Sequence, residues 1–196
     1  MILELQAIGK SYGGHAILGG VDLHLDAGEC VRLVGRSGLG KSTLLEIAAG
    51  LTPPGAGRVV RAGAVAMTFQ DDALLPWAGA ADNLAYALAA RPRALAEIPA
   101  WLARFDLPPG LRPAEMSGGM RRRLSLARAF AAGASLLLLD EPFAFLDAAW
   151  RARVAEMIDE AAGAGAAVLF STHQSDETPR SCHRSVTLAD GRIAPA

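Results

Sequence analysis

The stretch Gly35-Arg36-Ser37-Gly38-Leu39-Gly40-Lys41-Ser42-Thr43 constrains this chain more than any other. It follows the apolar run Cys30-Val31-Arg32-Leu33-Val34 and precedes the helix-forming Leu44-Leu45-Glu46-Ile47-Ala48-Ala49, the strand, glycine loop, helix order of a phosphate-binding loop. The glycines let the backbone curl so that several N–H groups point inward. The positive end of the following helix adds to them, so the loop offers a cradle for a triphosphate. Lys41 is placed to reach the β and γ phosphates, and Ser42 to hold Mg²⁺. The chain has only two lysines, Lys10 and Lys41, and uses arginine almost everywhere else.

At 196 residues the chain is expected to form one domain with a sizeable core. A net charge of −1 gives no global field to attract nucleic acid or an acidic membrane surface, so no nucleic-acid partner is expected. Cys30 falls in a predicted buried strand and Cys182 far along the chain in a polar segment. Two such cysteines make no disulfide framework and suit a reducing, cytoplasmic compartment. The N-terminus lacks a basic segment and carries Glu4, which argues against a signal peptide. No apolar run approaches the roughly 18 to 20 residues needed to cross a bilayer, so any membrane span would come from another chain.

Residues 2–8 and 17–25 alternate apolar and polar side chains around Gly13-Gly14, which reads as two strands and a turn. Short strands are expected near 58–61 and 64–69. Residues 73–131, rich in Ala, Leu and Arg and punctuated by prolines, read as short helices inserted into the fold. Ser135-Leu136-Leu137-Leu138-Leu139 is the apolar run of a central parallel strand buried on both faces. A helix over 148–163, a buried strand over 166–171 and a terminal hairpin turning at Asp190-Gly191 complete an α/β alternation. The expected organisation is a single domain over 1–196, with a core of 1–72 and 132–196 and a helical subdomain over about 73–131.

Asp140 closes the leucine strand, and the carboxyl ends of parallel strands face the ligand crevice, so its carboxylate is placed to hold a Mg²⁺ water shell. The adjacent Glu141 projects differently and could polarise a water for in-line attack on a γ phosphate.

With these motifs in this order, the whole chain resembles the ATP-binding subunit of an ATP-binding cassette (ABC) transporter. The resemblance implies a P-loop NTPase core of RecA-like type with a mainly parallel sheet, an N-terminal antiparallel β part and an inserted helical subdomain. Ser117-Gly118-Gly119-Met120-Arg121 resembles the family signature, which in relatives contacts the γ phosphate bound to the opposite subunit. A serine and two glycines opening a helix make physical sense as an anion site, and equally as an ordinary helix cap. By the same resemblance Gln70 reaches Mg²⁺ and the attacking water and senses the membrane partner, and His173 contacts the γ phosphate and positions Glu141. Tyr12 stacks on adenine, and Leu146-Asp147 belongs to a dimer-contact loop.

Departures from the family pattern are Met120 and Gln174 in place of a glutamine and an aspartate. Thr178-Pro179 interrupts the helix expected after Glu177, and the chain ends soon after Arg192-Ile193. Arg121-Arg122-Arg123 reads as a solvated helix face, with Leu124, Leu126 and Ala127 turned to the core. Trp77 in Leu74-Leu75-Pro76-Trp77 reads either as core packing or as similar to the branch that imports nitrate, sulfonates and taurine.

The resemblance thus implies an ATPase that dimerises around two ATP molecules, with Mg²⁺, and drives a membrane permease from the inner face of the cell membrane, with a solute-binding protein as a further partner. Two alternatives stay open at this stage: an ABC ATPase with no transport role, and a nucleotide-binding subunit with weak turnover.

Overall fold

The computed structural model describes residues 1–173 and 179–195. Gln174, Glu177 and Thr178, which carry two of the expected departures, lie outside the described residues. The chain runs through β1 (Leu3–Tyr12), β2 (His15–Leu25), β3 (Cys30–Val34), α1 (Lys41–Ala49), β4 (Ala56–Arg61), β5 (Val65–Thr68), α2 (Ala80–Ala87) and α3 (Ile98–Arg104). It continues through α4 (Gly118–Ala131), β6 (Leu136–Leu139), α5 (Ala148–Gly163), β7 (Ala167–Thr172), β8 (Cys182–Ala189) and β9 (Arg192–Pro195).

Two sheets form. β2, β1 and β4 pair antiparallel in a three-stranded sheet, and the order β5-β6-β7-β3-β8-β9 makes a six-stranded sheet that is parallel except for the β8–β9 hairpin. The leucine run of β6 shows how the layers divide, because successive side chains of a strand point to opposite faces. Leu136 and Leu138 join Leu33, Leu44, Leu45 and Leu169 in a core that also holds Leu3, Leu5, Val21 and Leu25 of the antiparallel sheet. Leu137 and Leu139 join Val168 and Phe170 in a second core with Leu124, Leu126 and Phe130 of α4 and Val154 and Ile158 of α5. A strand buried on both faces has no polar side to alternate with, which explains the unbroken leucines.

The helices start where their caps dictate. Ser117 accepts a hydrogen bond from the Met120 N–H at 3.2 Å and Asp147 from the Trp150 N–H at 2.8 Å, each supplying one of the acceptors that a first helical turn lacks. α1 instead starts at Gly40, whose φ of 96° lies in the left-handed region. A Cβ there would sit 2.6 Å from Ile17 Cγ2, so the phosphate loop can close over β2 only with glycine.

Chain separation misleads for the two cysteines. β3 and β8 are parallel neighbours, and their register sets Cys30 opposite Cys182. Both are free thiols, Cys30 buried and Cys182 half-buried. The hydrogen bond from Cys30 to Cys182, reinforced by burial, holds the Cys30 proton well above the usual thiol range. The same bond holds Cys182 below the usual thiol range, with the Arg32 guanidinium assisting against the cost of burial. Iodoacetamide should therefore modify Cys182 with a rate that rises through a midpoint below the ordinary thiol value, while Cys30 stays unmodified in the folded chain. Peptide mass spectrometry across a pH series reads both, and a Cys182 midpoint near the ordinary thiol value of about 8.5 would contradict the assignment.

Candidate nucleotide site

Parallel strands bring their carboxyl ends to one edge of a sheet, and here β3, β5, β6 and β7 deliver the phosphate loop, Gln70, Asp140-Glu141 and His173 to that edge. They surround a cavity of about 690 Å³ lined by residues including Tyr12, Ser37, Gly38, Lys41, Ser42 and Thr43. Gly40, Gln70, Asp140, Glu141 and His173 line it as well, so residues spread over more than 160 positions of sequence converge on one space. Gly35 shapes the site from its backbone, since its carbonyl accepts from Lys41 Nζ at 2.7 Å, whereas Leu39 is not among the lining residues.

Lys41 is only 6 % exposed. Its ammonium donates to the Gly35 and Arg36 carbonyls at 2.7 and 3.2 Å and lies 3.6 Å from Glu141 Oε1. A positive charge is thus fixed at the floor of the cavity among loop dipoles. Glu141 Oε2 sits 2.9 Å from His173 Nδ1, so one carboxylate is held between a lysine and a histidine. Glu141 adopts a φ of 48°, which is costly for a residue with a side chain and which turns it away from the direction of Asp140.

The register Leu139↔Phe170 places Ser171 beside Asp140. The Ser171 hydroxyl donates to Asp140 Oδ1 at 2.6 Å and accepts from the Glu141 N–H at 2.9 Å, while Thr68 Oγ1 accepts from the Asp140 N–H at 3.1 Å. Neither Ser171 nor Thr68 stood out in the sequence, where each is one hydroxyl at the end of an apolar strand. The signal available was their place: both lie in the last two residues of strands that flank β6.

Ser42, Gln70 and Asp140 also line a second, adjoining space of about 500 Å³. Hydroxyl, amide and carboxylate oxygens are the hard donors that suit Mg²⁺. Among the described residues no group of three His, Cys, Asp or Glu side chains could hold a metal. A Mg²⁺ ion here would draw its remaining ligands from phosphates and water, which is its ordinary habit, so the residues present fit the ion.

Tyr12 is 48 % exposed at the mouth of the cavity, with Lys10 Nζ 5.2 Å from its ring centroid. Ser117, Gly118, Gly119 and Asp147 do not line the cavity. Ser117 and Asp147 cap their own helices, as described above. Gly118 and Gly119 occupy the first turn of α4, where N–H groups have no intrahelical acceptor. Their surroundings differ: a Cβ on Gly119 would lie 3.1 Å from the Phe145 carbonyl oxygen, whereas one on Gly118 meets nothing closer than 3.9 Å.

Two expectations need correction. Arg122 does not belong to a solvated face: its side chain is 1 % exposed, and its guanidinium donates to main-chain carbonyls of Phe69, Asp140 and Glu141 and to Asp72 Oδ1. Arg122 is spaced four, seven and eight residues before Leu126, Ala129 and Phe130, on the buried stripe of α4, so helical periodicity carried the signal that the charge run obscured. Trp77 is not core packing, for it is 73 % exposed.

The family profile described as ABC transporter matches residues 18–144. An aliphatic sulfonates import ATP-binding protein of Mycobacterium avium is 41 % identical over 97 % of this chain and 78 % of its own length. This chain belongs to the ABC transporter family. A second aliphatic sulfonates import ATP-binding protein, from Rhodopseudomonas palustris, is 38 % identical over 99 % of the chain and 73 % of its own length. An Fe(3+) ions import ATP-binding protein of Rhodococcus jostii is 36 % identical over 98 % of the chain and 61 % of its own length. Among solved structures, the ATP-binding subunit of an ABC transporter superposes with a TM-score of 0.91 at 27 % identity, covering 100 % of this chain and 90 % of that one. A bacterial ABC transporter cassette solved as a dimer gives 0.87 at 26 % identity, covering 98 % and 96 %. Membership makes this chain an ABC-type ATPase with the P-loop fold expected from its sequence.

Ser171→Ala tests the hydroxyl network. It leaves a buried carboxylate oxygen and an N–H without their shared partner, which costs about 1–3 kcal/mol of stability. Urea unfolding of the variant should show that loss, and an unchanged midpoint would mean that the network does not hold the strand end.

Proposed function

We propose that this chain is the ATP-hydrolysing subunit of an importer, and that two copies close around two ATP molecules to drive a membrane permease. The observation that carries the reading is the convergence of Lys41, Ser42, Gln70, Asp140, Glu141 and His173 on one cavity. The domain organisation belongs to the same proposal: one ABC ATPase domain over 1–196 whose helical part, about 73–131, lies between the two stretches of core.

In this reading the loop N–H groups of Ser37 to Thr43 and the Lys41 ammonium bind the β and γ phosphates. Mg²⁺, held by Ser42, Gln70 and the water shell of Asp140, would neutralise charge on the β and γ oxygens. Glu141 takes the proton of the attacking water, and His173, at 2.9 Å, fixes the direction in which that carboxylate points. The Glu141–His173 contact supports turnover rather than binding alone. Tyr12 offers its outer face to the adenine.

Ser117, Gly118 and Gly119, which stand outside the cavity of their own chain, would serve the γ phosphate held by the opposite copy, with Asp147 in the loop between the copies. The dimeric cassette among the solved relatives supports that arrangement. Among the described residues no helix is long and apolar enough to cross a membrane, so the permease supplies the span, and the subunit works at the cytoplasmic face. Sulfonate importers among the relatives, together with the exposed Trp77 after Leu74-Leu75-Pro76, support a small anion such as a sulfonate, nitrate or taurine as the solute, delivered by a solute-binding protein.

Three variants divide the reading. Lys41→Ala should lose most ATP affinity in a titration with labelled nucleotide, and unchanged affinity would overturn the phosphate-loop assignment. Glu141→Gln should keep ATP affinity while turnover falls by roughly 10² or more. In the Glu141→Gln background, Gly118→Asp brings a carboxylate to the opposite copy's γ phosphate without an intrachain clash. ATP-dependent dimerisation read by light scattering should then disappear while nucleotide binding persists. Gly119→Asp is the poorer choice, since its Cβ would already press on Phe145.

A further inference from the structure

We propose that Arg122 is a positioning residue that ties the Gln70 loop to the Asp140-Glu141 strand end, so that the two move as one body with the signature helix α4. The proposal rests on the ATPase reading for the roles of Gln70 and Glu141, and its geometry stands apart from that reading.

Arg122 projects from the second turn of α4, the helix that Ser117 to Gly119 open. One guanidinium nitrogen, Nη1, donates to the Phe69 carbonyl at 2.8 Å and to Asp72 Oδ1 at 3.1 Å, straddling Gln70. The other, Nη2, donates to the Asp140 carbonyl and to the Glu141 carbonyl, the latter at 2.7 Å. The guanidinium is planar and rigid, so the positions of its two nitrogens are fixed relative to each other. A displacement of residues 69–72 therefore reaches the backbone of Glu141 through one covalent fork.

The pattern of backbone strain supports this independently. Asp72, Ala73 and Glu141 have positive φ values of 62°, 44° and 48°, although none is glycine. Such conformations persist only where the surroundings over-determine them. Arg122 grips the Asp72 side chain and the Glu141 carbonyl, and Arg128, two turns further along α4, donates to the Ala73 carbonyl at 2.6 Å. All three strained residues are thus held by arginines of one helix. The Nε of Arg122 is buried with no hydrogen-bond partner, so the side chain serves its terminal contacts at the expense of its own satisfaction.

The test compares Arg122→Lys and Arg122→Gln with the parent chain. Lysine keeps a cation facing Asp72, but a single ammonium cannot span the carbonyls of residue 69 and of residues 140–141 together. Melting temperature, kcat, KM for ATP and amide exchange with and without ATP and Mg²⁺ are measured for each. Arg122→Lys should stay folded, with kcat down by roughly 10- to 100-fold and KM for ATP within about threefold. In the parent, ATP should change exchange in both 37–43 and 69–73. In Arg122→Lys the response of 37–43 should remain and that of 69–73 should be lost. Parental kcat in the lysine variant, a retained response of 69–73, or failure of both variants to fold would each overturn the proposal, the last by reducing Arg122 to a structural staple. A parent chain that does not hydrolyse ATP but shows the paired exchange response would overturn the ATPase reading and leave the coupling standing.

Discussion

The Ser171 hydroxyl, shared between the Asp140 carboxylate and the Glu141 amide, is the contact on which the candidate site depends. It exists because β6 and β7 run parallel in a register that sets Leu139 against Phe170 and so puts the next pair side by side. A slip of one residue would turn the leucines of β6 to the wrong cores and separate the hydroxyl from the carboxylate at once. Core burial and site geometry are therefore enforced by the same register.

The helix α4 applies the same economy on the other side of the sheet. Its buried stripe packs Leu124, Leu126 and Phe130 into one core, its first turn holds Gly118 and Gly119, and its arginines reach the segments that carry Gln70, Ala73 and Glu141. A buried guanidinium has to be compensated by acceptors, and here most of the acceptors are carbonyls of the very segments that carry Gln70, Asp140 and Glu141.

Much of this was legible in the sequence. The leucine run, the glycine loop and the alternation of strand and helix specify the α/β class because each is a local pattern with a single period. Helix α5 and the Asp190-Gly191 hairpin fall where periodicity and turn residues put them. The convergence of Lys41, Asp140, Glu141 and His173 could be anticipated because strand ends of a parallel sheet share an edge. What sequence hid were contacts fixed by strand order: Cys30 beside Cys182 follows from β8 lying next to β3, which no spacing reveals. Arg122 was misjudged because three successive arginines look like a solvent-facing run, although the spacing of the middle one to Leu126, Ala129 and Phe130 already puts it on the buried stripe of α4.

A crystal structure of the Glu141→Gln variant with ATP and Mg²⁺ tests the central claim most directly. The expected result is a two-fold dimer in which each γ phosphate lies between Lys41 of one copy and Ser117, Gly118 and Gly119 of the other, with the ion on Ser42 and Gln70. A nucleotide seated in the cavity of a lone chain, with residues 117–119 of every copy facing solvent, would contradict the account.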